Sequence, residues 1–517
     1  RLLAKRNAGR FPPRFASYLV RTVKDCLVAP RAARPWDWPL VVWSMLEEMT
    51  IDAKGNLLKF DLALDAWLLF SRSLEQQLSE HRMGDLGTKI LRVLENLVPS
   101  APQGRTAALL DSLCSALASF SAPTSVIRAM MSLTERVEET WKAKKIFVDR
   151  AADRAAWRAA FLKTIQAALA EVVRPDLAPC APIDSRKLGA CLFTLGELAI
   201  MDASIVSQSI VTQVQTIASN NIWRSGKRID VDASTRGHAF SALGKLCLRS
   251  DSLAKKSVEL LVVHLNSNEL VVVRNNVLIA LGDLCIQYTG LVDRFVPYMT
   301  DLLCDQNELL RKQAAMILAS LLSEDFIKLR GSIMLRFLYM LSDPADSVRG
   351  FVECVFSRIL HQRNVLMFSQ NFLDVICALN GWAGLANFQG AAGNEDFSLQ
   401  RSPPRRAMIY RFMLGLMSSD QKFNVCAQII TTLLAAFVDS EDRIELPATV
   451  QEPGGQALSD GLSVLCCKEM RICFTTQRAG QDEDDTADGA EKASAEAARG
   501  VLSSILKRNM CENIVPV

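Results

Sequence analysis

Val273-Arg274-Asn275-Asn276-Val277-Leu278-Ile279-Ala280-Leu281-Gly282-Asp283-Leu284 decides the fold of this chain. Val273, Val277, Ala280, Leu281 and Leu284 fall on one face at helical spacing, which predicts a helix with a single buried stripe. Its closing tetrad has counterparts on both sides. Leu195-Gly196-Glu197-Leu198 and Leu243-Gly244-Lys245-Leu246 precede it; Leu318-Ala319-Ser320-Leu321 and Phe356-Ser357-Arg358-Ile359 follow. The small residues stand 48, 38, 37 and 38 positions apart, and Arg236, Arg274, Arg311 and Arg349 lie eight positions before the last four of them. A fixed period of this length marks stacked helical hairpins. The predicted fold class is all-α, an α-solenoid, an architecture that works as an extended binding surface.

Gly282 in mid-helix costs about 1 kcal/mol relative to Ala. Close approach of a neighbouring helix would offset that cost, and Ala319 and Ser357 are small at the equivalent positions. Six residues before each repeat Arg stands an Asp or Asn: Asp230, Asn268, Asp305 and Asp343. Such a residue is predicted to cap the following helix or to pair with the Arg of an adjacent unit, giving a ladder of charges along the array. The pattern resembles that of HEAT repeats. The ladder arginines Arg236, Arg274, Arg311 and Arg349 therefore read as structural rather than as DNA contacts.

The 517 residues are 50% apolar but only 7% aromatic, a mix suited to helix-on-helix packing, and they exceed one conventional globular core. No apolar run reaches the roughly 18–20 residues of a membrane span, so no membrane partner is expected. The fourteen cysteines are scattered through apolar helical stretches and read as buried thiols. Net charge is +3, yet residues 1–36 carry nine basic side chains against Asp25 alone. That arm suits phosphate or an acidic partner, or is an ordinary solvated flank.

Chemistry finds no foothold. Gly84-Asp85-Leu86-Gly87-Thr88-Lys89 has phosphate-loop residue types at the wrong spacing and reads as a helix start. His81, His238, His264 and His361 form no local metal motif, and no CxxC or HExxH occurs. The chain reads as non-enzymatic, with no cofactor and no metal.

The organisation reads as a basic flank at 1–35, divergent helical repeats at 36–182 and the clear array at 183–382. A loop at 383–404 and a terminal helical pair at 405–446 follow, and 447–517 reads as a mostly disordered tail with an acidic stretch. Candidate contacts to DNA or a partner lie on basic clusters. Arg224, Lys227 and Arg228 occupy a Gly-containing loop between repeats, while Arg405 and Arg406 flank the Pro403-Pro404 break. Asn276 and Lys312 lie on repeat helices, Asn276 in an outward polar stripe with Asp283 and Gln287. Cations along one edge of a solenoid track a phosphate backbone without reading sequence. Each cluster is equally readable as solvated surface.

Further segments carry a specific likeness. Val273-Arg274-Asn275-Asn276-Val277, Leu281-Gly282-Asp283-Leu284-Cys285, Leu310-Arg311-Lys312-Gln313 and Phe326-Ile327-Lys328 resemble the signature of condensin HEAT subunits. Leu192-Phe193-Thr194-Leu195-Gly196-Glu197-Leu198, Asp251-Ser252-Leu253-Ala254-Lys255-Lys256-Ser257 and Ile409-Tyr410-Arg411-Phe412 make the likeness closer to the condensin II D type than to the condensin I one. The resemblance is strong over 184–380, fair over 405–475 and faint before 180. One departure is Leu188, which stands where the first unit would carry its Arg. The resemblance implies a non-catalytic regulatory subunit of an SMC–kleisin complex, located in the nucleus on chromosomes. Its implied partners are the kleisin subunit, the SMC ATPase heads, the second HEAT subunit, DNA and histone tails. Family subunits are considerably longer, so a partial or shortened version is expected. A nuclear transport receptor or phosphatase adaptor of HEAT type is the alternative reading.

Overall fold

The structure, a computed structural model, describes residues 37–51, 58–74, 80–144, 151–174, 183–266, 268–383, 402–437 and 447–471, with Arg21, Asp176 and Leu399. The basic arm apart from Arg21, most of the 383–404 stretch, and the part of the 447–517 segment after residue 471, its acidic stretch included, lie outside these residues. The chain divides into two compact units, Arg1–Val292 and Asp293–Val517.

The first unit runs α1 (Asp37–Thr50), α2 (Phe60–Leu74), α3 (Glu80–Leu97), α4 (Gln103–Ala118), α5 (Thr124–Ala143), α6 (Ala151–Val173), α7 (Ser185–Met201) and α8 (Gln208–Ala218). A hairpin of β1 (Ile222–Arg224) and β2 (Lys227–Ile229) precedes α9 (Ala233–Leu248), α10 (Asp251–Val263) and α11 (Val271–Gln287). The odd-numbered helices pack side by side in one layer from α1 to α11, and the even-numbered ones back them. The layering thus continues through the N-terminal third, where the sequence period is lost. Gly84 and Gly87 lie inside α3, not at a nucleotide loop.

Small residues set the helix spacing. A Cβ on Gly244 would lie 2.6 Å from the Ala280 Cβ, and one on Gly196 would lie 2.9 Å from the Lys245 Cδ. α9 therefore approaches α11, and α7 approaches α9, more closely than side chains at these positions permit. The cost of Gly in a helix is offset by the extra contact area around it.

The second unit contains α12 (Val296–Asp301), α13 (Glu308–Ser323), α14 (Gly331–Met340), α15 (Asp346–Cys354), α16 (Phe372–Asn380), α17 (Pro403–Gly415), α18 (Ser419–Gln428) and α19 (Pro453–Cys466). Beyond α15 the chain widens into a π-type turn, Val355–Leu360. Ser357 is only half-buried there and bonds back to the Glu353 carbonyl, so the small-residue register ends at this fifth unit. Phe356, Phe368 and Phe412 fill the space as an aromatic cluster with centroids 5.5–6.3 Å apart.

Two expectations are corrected. The helix caps are not the ladder residues: Asp232 caps α9 and Asn307 caps α13, each two positions later than predicted, and neither α11 nor α15 has a side-chain cap. Asp305 and Asp343 accept from the Asn307 and Ala345 N–H groups, both at 2.8 Å, and so fix the turn instead. The segment 447–517 is not uniformly tail-like. α19 packs on α16 and α17 and supplies Asp460 to a buried polar network, which the polar composition around Gly454 and Gly455 concealed.

Candidate macromolecular interface

The repeat arginines share one geometry. Arg236 Nε donates to the Ala218 carbonyl and Arg274 Nε to the Leu265 carbonyl, each at 3.0 Å. Arg311 Nη1 donates to the Asp305 carbonyl at 2.9 Å, and Arg349 bonds the Asp343 carbonyl. Each guanidinium thus satisfies an orphan carbonyl where the preceding helix or turn ends, in the favourable field of its negative pole. Two of them also bridge to the next repeat. Arg311 takes Asp343 with Nε at 2.6 Å and Nη2 at 2.9 Å; Arg236 takes Glu269 with bonds of 2.9 and 2.7 Å.

Asn268, proposed from sequence as a rung, is replaced by its neighbour Glu269, because an amide offers no charge to a guanidinium. Asp230 pairs with Asn220 at 3.2 Å rather than with an arginine. Burial alone would raise the Glu269 carboxyl, but Arg236, the Leu270 N–H and His264 together bring it down to about 2.

A second charge row, unseen in the sequence, runs over the odd-numbered layer of the first unit. Glu47 on α1 binds Lys89 and Arg92 on α3. Arg128 on α5 and Lys245 on α9 both bind Glu197 on α7, at 3.4 and 2.5 Å. Glu197, Lys245 and Asp283 are the variable third residues of the repeated tetrads, and their signs alternate. On α11, Val272, Ile279 and Ile286 stand seven apart and are 45%, 36% and 45% exposed, opposite the buried stripe of the same helix. Asn276 is half-buried, bonds its own helix at the Val272 carbonyl and lies over Gly237. It is a packing residue before it is a contact.

The Arg224 cluster is not a loop. It is a two-residue hairpin in which Ser225 and Gly226 take positive φ of 46° and 78°, the pattern of a turn matched to strand twist. Trp223 stands opposite Arg228 in the register. Arg224 is buried and donates to the Val172 carbonyl at 3.0 Å, so it anchors the hairpin to the end of α6 and is not a surface contact. Lys227 and Arg228 are exposed.

Lys312 is exposed on α13. Arg405 is half-buried, bonded to Ser342 at 3.0 Å and stacked over Tyr339. Arg406 is 1% exposed and gripped by Asp460 at 2.6 and 3.1 Å, so it too is removed from the candidate contacts. Tyr410 and Asn380 donate to the same carboxylate at 2.9 and 2.8 Å, which completes the hydrogen bonding that burial of an ion pair demands.

A sequence profile described as condensin-2 complex subunit D3-like HEAT repeats matches residues 185–265, and one described as non-SMC mitotic condensation complex subunit 1 matches 272–441. Together they span the helices that carry the four repeat arginines, whereas the second charge row begins before them on α1, α3 and α5. A condensin-2 complex subunit D3-L from Xenopus laevis is 32% identical over 65% of this chain and 24% of its own length. Over these stretches the chain is similar to condensin-2 D3 subunits. The Arabidopsis thaliana condensin-2 complex subunit CAP-D3 aligns with 98% of the chain and 42% of itself at 22% identity. The chain therefore spans about a quarter to under half of these D3 relatives. A solved structure of the C-terminal fragment of the Chaetomium thermophilum cohesin loader SCC2 has a TM-score of 0.55 at 13% identity, covering 86% of this chain and 33% of that one. That likeness concerns the fold alone, a HEAT-repeat solenoid.

Proposed function

We propose that this chain forms part of the non-catalytic regulatory subunit of a condensin-2 SMC–kleisin complex, acting on chromosomes in the nucleus during mitotic condensation. Similarity to condensin-2 D3 subunits and to the two condensin sequence profiles supports the assignment to condensin. The observation that carries the binding role is the exposed apolar stripe Val272, Ile279 and Ile286 on α11, a helix whose other face is already buried. Covering each half-exposed side chain would contribute roughly 1 kcal/mol, and the seven-residue spacing suits a segment of the kleisin chain laid against the helix. The exposed cations Lys227, Arg228 and Lys312 supply phosphate contacts to DNA without sequence readout. ATP hydrolysis belongs in this reading to the SMC heads, and the second HEAT subunit and histone tails complete the partners.

Co-purification with the kleisin subunit of a condensin-2 complex tests the reading. The chain should retain kleisin, and Ile279→Asp with Ile286→Asp should weaken retention at least about ten-fold. A chain that never retains kleisin overturns it. DNA titrations should weaken steeply with salt; salt-indifferent binding removes the phosphate-tracking part.

A further inference from the structure

The step from Gly196 to Gly244 is 48 residues where the later steps are 37 or 38, and the β1–β2 hairpin occupies the extra length. The stack does not need it. Arg236 reaches the Ala218 carbonyl across the insertion just as Arg274 reaches the Leu265 carbonyl without one. Yet the hairpin is held rigidly. Arg224 ties it to Val172, Arg228 Nε donates to the Asn220 carbonyl at 2.9 Å, and the Asn220 side chain accepts from the Val231 N–H at 2.8 Å.

What this frame displays is Trp223, 52% exposed. Its indole N–H already donates to Asn221 Oδ1 at 2.8 Å, so the ring is oriented and offers a face rather than an unmet polar tip. Arg228 lies directly across the ladder and Lys227 beside the turn. The other exposed residues of the segment, Asn221, Ser225, Gly226 and the carboxylate Asp230, which accepts from the Asn220 side chain, are small or polar, so the hairpin lacks the second apolar anchor that a docked peptide would bury. A fixed aromatic face with cations beside it matches one chemistry: a stacked base and its flanking phosphates. Bases within a duplex are already stacked on each other, so only an unpaired strand can use it.

We infer that the β1–β2 hairpin binds single-stranded nucleic acid, with a base stacked on Trp223 and phosphates held by Lys227 and Arg228. The inference rests on the DNA-binding part of the proposed function and not on its kleisin part.

Anisotropy titrations of the 517-residue chain with a labelled oligothymidylate and with a labelled duplex test it. Trp223→Ala should weaken oligothymidylate binding about ten-fold and leave duplex binding within about two-fold, while Trp223→Phe retains most of the affinity. Lys227→Gln with Arg228→Gln should lower the single-strand salt slope by about 1.4. Three outcomes overturn it: no single-strand binding, an unchanged Trp223→Ala variant, or equal loss for both ligands. Kleisin retention is read separately, so loss of this site leaves the condensin assignment standing.

Discussion

Arg236 leaves its own repeat to grip Glu269 of the next through two parallel hydrogen bonds of 2.9 and 2.7 Å, while its Nε closes the end of α8 at Ala218. One side chain thus fixes a turn within a repeat and the register between repeats. Replacing Glu269 by Gln leaves a buried guanidinium without its counter-charge, and should cost about 2–3 kcal/mol in urea denaturation of the first unit near neutral pH.

The same pair predicts an acid dependence. The Glu269 carboxyl lies at about 2 in the fold against an ordinary 4.5, so its contribution is present above about pH 4.5 and is lost as pH falls toward 2. Allowing for solvent screening, roughly 1–2 kcal/mol should disappear across that window. Glu269→Gln should show a flatter profile there; parallel curves would contradict the assignment.

Gly244→Ala places a methyl 2.6 Å from the Ala280 Cβ. It should lower stability by about 1–3 kcal/mol and loosen α9 against α11, seen as faster amide exchange in both helices. Gly350→Ala, with open space around it inside α15, should instead stabilise by about 0.5–1 kcal/mol.

Asp460 accepts from Arg406, Tyr410 and Asn380 at once. Asp460→Ala should cost about 3–5 kcal/mol by leaving the buried Arg406 without its counter-charge, and should release protection in α17 and α19 together. Exchange that rises in α19 alone would show that the network does not join the two helices.

Thiol reactivity should split by burial. Burial pushes Cys191, Cys247 and Cys377 up to about 12, whereas Cys354 and Cys466 are exposed. At pH 8, alkylation followed by peptide mass spectrometry should label the exposed pair first and the buried three only on unfolding. The reading of the cysteines as uniformly buried does not hold for the exposed pair.

The helical array was legible because its cause is local. A stripe such as Val273, Val277, Leu281 and Leu284 dictates a helix and its buried face, and a small residue at Gly244 demands a close neighbour. Pairing was less legible. Glu269 was hidden beside Asn268, Arg406 looked like surface until Asp460 met it from 54 positions away, and Trp223 was overlooked beside its basic neighbours.

The sequence by itself determined the all-α repeat, its period and the position of its arginines, since burial periodicity and turn chemistry act over a few residues. Only the tertiary structure decided which charges face solvent. Those partners come from other helices, and the stacking register that brings them together is set by packing rather than by any neighbouring residue.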